Sequence, residues 1–285
     1  MEPNSKSVID CTTYQLLQQS VDHKPQNLYA GPGDQFKDAG VATEFRNFER
    51  KDLIPRSPIK VAVVYPTTKV QKTVPLQKAI ESYREQHLRK QKDAIDIKKF
   101  YVQVKDTGVG EQPLHPNGLV GALNRIYYIQ DVLLKNRTLE QVDFDLPVVQ
   151  NFDRIIIPSL ESDIFFENEV GYDKPNLIFY ECFTRELVAG MGTGPGIQKD
   201  IFQLSQELGR VLFNNDQAVT YGKTLQALFP ERNINHADWH GVVYHPQPSG
   251  KQGDRAYFIE ELCEAMGKHL NIFFDKVFSP YKKTM

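Results

Sequence analysis

The stretch that decides the fold is "IKVAVVYPTTKVQKTVPLQKAI", from Ile59 to Ile80. Its opening residues are β-branched and apolar, which predicts a buried strand. A short polar loop follows, and the rest predicts a helix that Thr73 can cap, with Pro75 in its first turn. A strand that passes through a polar loop into a helix is typical of an α/β protein.

The remainder of the chain alternates strands and helices without a strict repeat. Two further apolar runs predict central strands, and the second of them predicts a hairpin that turns at Thr184-Arg185. We therefore expect an α/β fold with a central mixed β-sheet flanked by helices. The segments concerned are "FDRIIIPSLESDIFF" (152–166), "PNLIFYECFTRELVAG" (175–190) and "WHGVVYH" (239–245) as strands, and "LVGALNRIYYIQDVLLKN" (119–136), "IQKDIFQLSQELGRVLF" (197–213) and "RAYFIEELCEAMGKHLNIFFDKVF" (255–278) as helices.

Residues 1–58 differ in composition from residues 59–285, which we expect to form the α/β domain. Pro and Gly recur in the first segment and aliphatic residues are few, so it predicts an extended N-terminal arm. Two interpretations remain open, a flexible leader and an arm that docks on a protein partner. Aromatic and proline anchors suit the second interpretation: Tyr29, Phe36, Phe45 and Ile54-Pro55.

Composition excludes several classes of protein. Across 285 residues, 40% are hydrophobic and 25% are charged, as in an ordinary globular domain. The net charge of −2 gives no basic field for nucleic acid, and no apolar run could cross a membrane. The three cysteines lie far apart and the N-terminus does not resemble a secretory signal. We expect an intracellular protein, either cytoplasmic or part of a cytoskeletal assembly.

Three stretches carry candidate chemistry. The loop "TTKVQK" (67–72) joins a strand to a helix start, where backbone N–H groups and lysines favour phosphate. Glu161 and Asp163 follow the apolar run "IIIPSL", where an α/β protein places ligands at the end of a strand. The third stretch, "GMGTGPG" (190–196), lies between a strand and a helix and also has the glycines of a phosphate loop, although "TTKVQK" is the better candidate.

Taken in order, these segments resemble the family of inosine/xanthosine triphosphatases and a eukaryotic relative, the C-terminal domain of proline-rich coiled-coil-containing proteins. "TTKVQK" is similar to the family's T-[TS]-N-x-x-K loop. "GVGEQPLHPNGLVGALNR" (108–125) is similar to its G-V-x-E-Q-P … G-A-x-N-R run, which is the more specific match. Glu161 and Arg255 fall on family positions further along. The matched residues are Thr67, Thr68, Lys72, Gly108, Val109, Glu111, Gln112, Pro113, Gly121, Ala122, Asn124, Arg125, Glu161, Gly241 and Arg255.

The resemblance covers roughly residues 59–275 and implies a cleft for a purine nucleoside triphosphate with Mg²⁺ or Mn²⁺. It implies catalytic roles for Lys72 and Glu161 and metal ligation by Glu111 and Glu161. It also implies a set of side-chain contacts to the nucleotide. Those contacts would come from Thr67, Thr68, Lys69, Lys72, Asn124, Arg125 and Arg255.

The chain departs from the family at three places. Lys69 replaces an Asn, "HPNGL" (115–119) replaces an acidic S-E-E-T stretch, and Asp163 replaces the glycine of an E-x-G turn. A loss of carboxylates together with an added lysine weakens divalent metal binding. We therefore expect a catalytically degenerate member, used for binding or structure in a larger assembly and anchored by its arm. The alternative is a working Mg- or Mn-dependent hydrolase of non-standard purine triphosphates, and whether the chain forms a homodimer stays open.

Overall fold

The computed structural model describes the greater part of the α/β domain and a few segments before it. The described residues are 26–32, 45–46, 48, 58–88, 95–104, 107–109, 112–138, 147–167, 170–192, 194–197, 199–213, 221–230, 239 and 255–278. Glu111 lies outside them, as does the strand predicted over 239–245 apart from Trp239.

The described part of the chain contains seven strands and six helices. The strands are β1 (Gln26–Pro32), β2 (Ile59–Tyr65), β3 (Ile95–Tyr101), β4 (Arg154–Glu167), β5 (Val170–Glu181), β6 (Glu186–Met191) and β7 (Gly196–Ile197). The helices are α1 (Val70–His87), α2 (Asn117–Thr138), α3 (Lys199–Phe213), α4 (Tyr221–Leu228), α5 (Arg255–Ala265) and α6 (Gly267–Phe278), with a 3-10 turn at Val149–Asn151.

Seven described strands form one mixed sheet in the order β1-β6-β5-β4-β2-β3, with β7 paired to β5. Strand β2 is parallel to both of its neighbours, β3 and β4. The pairs β4-β5, β5-β6 and β6-β1 are antiparallel. This arrangement is the α/β fold with a central mixed sheet that the sequence predicts.

Helices cover both faces of the sheet. On one face α2 packs Leu123 and Ile126 against the sheet residues Val64 and Ile157. On the other face α1, α5 and α6 bury a second apolar cluster that contains Leu76, Leu262 and Phe274. These residues expose 2% of their surface or less, so both layers are closely packed. None of the described helices combines the length and the apolar character that crossing a bilayer requires.

Local predictions for two helices need correction. Helix α1 begins at Val70 with Lys69 as its N-cap, so Thr73 is not the cap; its hydroxyl donates to the carbonyl oxygen of Val70 at 3.5 Å. Because the helix begins at Val70, Pro75 lies inside it and not in its first turn. The closing helix is two helices, since α5 ends at Ala265 and α6 starts at Gly267.

Two predictions about strands also change. Glu161 and Asp163 do not follow a strand end; they lie within β4, whose 14 residues extend to Glu167 because β5 pairs with it from Ile156 to Glu167. Residues predicted as part of the arm form β1, which pairs with β6. Phe45 also belongs to the domain, as its ring stacks on Tyr180 at 4.3 Å and is 8% exposed. The sheet therefore begins before residue 59.

Candidate functional site

The candidate site lies where β2 ends and β4 continues. Register pairs Val63 with Ile156, so Glu161 stands roughly 10 Å beyond the level of Tyr65, the last residue of β2. Helix α1 starts in this gap from one side and α2 packs on β4 from the other. Ligands of α/β proteins bind at such carboxyl ends of parallel strands.

Three predicted site residues meet there in one ion cluster. The Lys72 Nζ lies 3.5 Å from Glu161 Oε1, while Arg125 donates from Nε and Nη2 to Glu161 Oε2 at 2.9 and 2.5 Å. Arg125 Nη1 also donates to the carbonyl oxygen of Pro66 at 3.2 Å, at the end of β2. The family resemblance predicted Lys72, Arg125 and Glu161, and the structure brings all three together. We call these residues with Arg255 the Glu161 cluster.

Burial and charge determine the ionisation of the two central groups. Burial alone raises the pKa of Glu161, but Lys72 and Arg125, helped by Arg255, outweigh it and lower the pKa from 4.5 to about 2. Burial lowers the pKa of Lys72 from 10.5 to about 8, since neighbouring arginines and Lys69 offset the attraction of Glu161. At neutral pH both groups are therefore charged.

Among the described residues, Arg255 is held by the longest ion-pair contact of the three cations in the cluster. Its Nη2 lies 3.9 Å from Asp173 Oδ2, and its side chain is 15% exposed. Within the described chain its buried Nε has no hydrogen-bond partner. The positive charge of Arg255 also helps to lower the pKa of Lys72 and that of Glu161. A buried N–H without a partner costs free energy that a ligand oxygen can recover.

A close approach of helix α2 to β4 makes the Arg125 contact feasible. A Cβ on Gly121 would lie 3.1 Å from Glu161 Cγ and 2.7 Å from Val109 Cγ2, so only glycine fits without movement of these neighbours. Asn124, the residue before Arg125, donates instead to the carbonyl oxygen of Thr107 at 2.7 Å. Its amide thereby fixes the turn at Gly108, whose φ is 74°.

The two threonines of "TTKVQK" bond within the protein. Thr67 Oγ1 accepts from the backbone N–H of Lys69 at 3.2 Å, and the Thr68 hydroxyl donates to Gln103 Oε1 at 3.0 Å. These bonds hold the loop between β2 and α1 against the loop after β3. Lys69 itself is exposed at the helix start, beside Lys72. The nucleotide contacts predicted for Thr67, Thr68, Lys69 and Asn124 stay predictions.

A divalent metal is a poor match for the donors that are described. Both carboxylate oxygens of Glu161 already face cations, and Asp173 faces Arg255. No group of three or more His, Cys, Asp or Glu within the described ranges is placed to hold a metal ion. The predicted ligand Glu111 is outside those ranges. The described donors thus do not fit the Mg²⁺ or Mn²⁺ that the resemblance implies.

The described residues of the glycine-rich stretch, 190–192 and 194–196, pack along β5. The Gly192 N–H donates to the carbonyl oxygen of Pro175 at 2.8 Å, and Pro195 accepts from the Asp173 N–H at 3.1 Å. A Cβ on Gly194 would lie 1.5 Å from the Asp173 carbonyl oxygen, so glycine is required for this contact. The stretch fixes the backbone of Asp173, the partner of Arg255, and thereby supports the Glu161 cluster from the β5 side.

Sequence reasoning missed two acidic contacts. Asp173 has no motif around it and is recognised only through its distance to Arg255. Asp163 Oδ2 lies 2.9 Å from His115 Nδ1 and accepts from the Gly118 N–H at 3.2 Å, in the first turn of α2. His115 stands in the segment "HPNGL" and Asp163 at the altered E-x-G turn, so two departures from the family pattern contact each other.

Comparisons with known proteins add little to this picture. No family model matches the sequence, and no curated protein is significantly similar to it. Among solved structures the chain is similar to the "Crystal structure of protein VC0702 from Vibrio cholerae", with a TM-score of 0.41 and 11% identity over 74% of this chain and 96% of that one. A likeness of this size carries no conclusion about function.

Proposed function

We propose that this chain is a catalytically degenerate purine-triphosphatase-like domain that binds the phosphates of a nucleotide and does not hydrolyse them. The observation that carries the proposal is the Glu161 cluster. Its carboxylate is engaged by Lys72 and Arg125 on its two oxygens, which organises cations at the start of helix α1. Buried arginine and lysine groups at a helix N-terminus favour phosphate.

The charge balance of the site supports an anionic ligand. Among the described residues, the cations Lys69, Lys72, Arg125 and Arg255 outnumber the carboxylates of Glu161 and Asp173 at this site. The first turn of α1 contains no acidic residue that would reduce this excess. A purine base as the remainder of the ligand rests on the family resemblance alone.

Calorimetric titration with inosine and xanthosine triphosphates, and with ATP as a comparator, tests binding. Phosphate and pyrophosphate release with Mg²⁺ or Mn²⁺ tests turnover in parallel. We expect binding without turnover, weakened in Arg255→Gln and unchanged in Lys276→Gln, a surface lysine paired with Glu186 at 2.9 Å. If the wild type hydrolyses a triphosphate and Glu161→Gln abolishes that activity, the chain is a working hydrolase. If none of the three triphosphates binds, the proposal is refuted.

A role in a larger assembly is the second part of the proposal. The N-terminal arm, residues 1–58, is the segment that we propose binds a protein partner. Within it, residues 26–32 pair with β6 and Phe45 packs on Tyr180. Deletion of residues 1–25, which spares these contacts, should release the chain from its native complex in size-exclusion chromatography of extracts; an unchanged elution volume would refute a role for that part of the arm.

A further inference from the structure

The contacts of the Glu161 carboxylate indicate whether the ligand of this site carries a divalent metal ion. Oε1 faces Lys72 Nζ at 3.5 Å and Oε2 accepts two hydrogen bonds from Arg125. A divalent ion bound to either oxygen would have to displace an ammonium or a guanidinium group. It would also stand beside the remaining cations of the cluster, whose repulsion is strong because the site is buried.

The unsatisfied donor in the cluster points in the same direction. Arg255 Nε is buried and has no hydrogen-bond partner among the described residues, and its ion-pair contact with Asp173 is long, at 3.9 Å. An N–H group needs an acceptor, and a metal ion offers none. A phosphate oxygen supplies both the acceptor and the negative charge that the excess of cations attracts.

From these two observations we propose that the site binds a phosphate chain that carries no divalent metal, such as a pyrophosphate or triphosphate group. Arg255 Nε donates to one phosphate oxygen, and the Lys72 and Lys69 ammonium groups at the start of α1 contact others. Magnesium then acts as a competitor, because it withdraws the free phosphate chain and lowers its negative charge. This inference rests on the proposed function, since it specifies the ligand of the same site.

The test is calorimetric titration of the full chain with sodium tripolyphosphate and with inosine triphosphate, once in EDTA and once in excess Mg²⁺. We expect affinity to fall about tenfold or more in Mg²⁺, a difference of about 1.4 kcal/mol or more. Equal or tighter binding in Mg²⁺ would overturn the metal-free ligand while leaving nucleotide binding intact. Absence of binding in both buffers would overturn the proposed function itself.

Two substitutions sharpen the test because the competing hypotheses predict opposite signs. Glu161→Gln removes one negative charge beside Lys72 and Arg125, so metal-free tripolyphosphate should bind several-fold more tightly. A metal-ligating Glu161 would give weaker binding that depends on Mg²⁺. Glu81→Gln, at an exposed ion pair with Lys99, is the matched control and should bind like the wild type.

Circular dichroism first establishes whether Glu161→Gln folds. If it does not, Arg255→Lys provides a second test. The lysine retains the positive charge and loses the Nε donor. We expect affinity for tripolyphosphate in EDTA to fall about tenfold, as for the loss of one charge-assisted hydrogen bond. An unchanged affinity would mean that Arg255 does not contact the phosphate and would overturn the assignment.

Discussion

Glu161→Gln should destabilise the folded protein strongly at neutral pH. The pKa of Glu161 falls from 4.5 to about 2 on folding, because Lys72 and Arg125 overcome the cost of burial. At 1.36 kcal/mol per pKa unit, this difference corresponds to about 3 kcal/mol in favour of the ionised, folded state. Glutamine has nearly the same shape and no charge, so its introduction removes this contribution and leaves two cations buried side by side.

The sign of the pH dependence follows from the direction of the change. A carboxyl whose folded-state pKa lies below its unfolded value stabilises the fold above pH 4.5, and that stabilisation is lost as the pH falls toward 2. The difference in stability between wild type and Glu161→Gln should therefore be about 3 kcal/mol at pH 7 and should shrink progressively below pH 4.5.

Urea unfolding followed by circular dichroism at pH 7 and at pH 3 measures the difference. The control is Glu81→Gln, whose carboxylate pairs with Lys99 at 2.7 Å on the surface with 51% of its side chain exposed. Such pairs contribute under about 1 kcal/mol. A loss for Glu161→Gln no larger than that of Glu81→Gln, or one that is the same at both pH values, would refute the electrostatic argument.

Three further predictions concern other parts of the site and the core. Relative to Lys72→Met, wild-type stability should rise by about 3 kcal/mol from pH 8 to 10.5, because the pKa of Lys72 is about 8 in the folded protein and the folded state therefore loses this buried charge at lower pH than the unfolded state does. Urea titrations measure this rise, and a constant difference between the two proteins would contradict it. Gly121→Ala should lower the free energy of unfolding by about 1 to 3 kcal/mol, because the added Cβ would meet Val109 and Glu161. Gly267→Ala, where a Cβ would have no atom within 4 Å, should be neutral or stabilising. Equal unfolding midpoints for the two variants would contradict the close approach of α2 to β4 at Gly121. Phe45→Ala should lower stability by about 3 kcal/mol because its ring is buried on Tyr180, while Tyr128→Ala, at 46% exposure, should have little effect; thermal unfolding distinguishes the two, and similar melting temperatures would place Phe45 outside the core.

The fold could be predicted where apolar runs are long. The run "IIIPSL" and the hairpin turn at Thr184-Arg185 predict β4, β5 and β6 because β-branched residues and a turn determine them locally. Strand β1 could not be predicted, since "QNLYAGP" has few strand-forming residues and is ordered by pairing with β6. Tertiary pairing outweighed local propensity there, as it did where β4 continued past Glu161.

The sequence predicted several residues that the structure brings together, but it did not predict the contacts between them. Family resemblance selected Lys72, Arg125, Glu161 and Arg255 from distant parts of the sequence. It implied metal ligation by Glu161, which stays a prediction, and it did not show that Lys72 and Arg125 face this carboxylate. The contact with Arg125 depends on how closely α2 approaches β4 at Gly121, and that distance is a property of packing between elements.

Strand β1 also limits how far the N-terminus of this protein can be truncated. A fragment that starts at residue 59 would lack β1 and leave the backbone donors and acceptors of β6 without their partner strand. It would also uncover the ring of Tyr180 on which Phe45 stacks. An unpaired edge beside an exposed aromatic surface invites self-association. Recombinant expression of the domain should therefore begin before Gln26, and an insoluble shorter fragment would reflect an opened sheet and would say nothing about a missing partner.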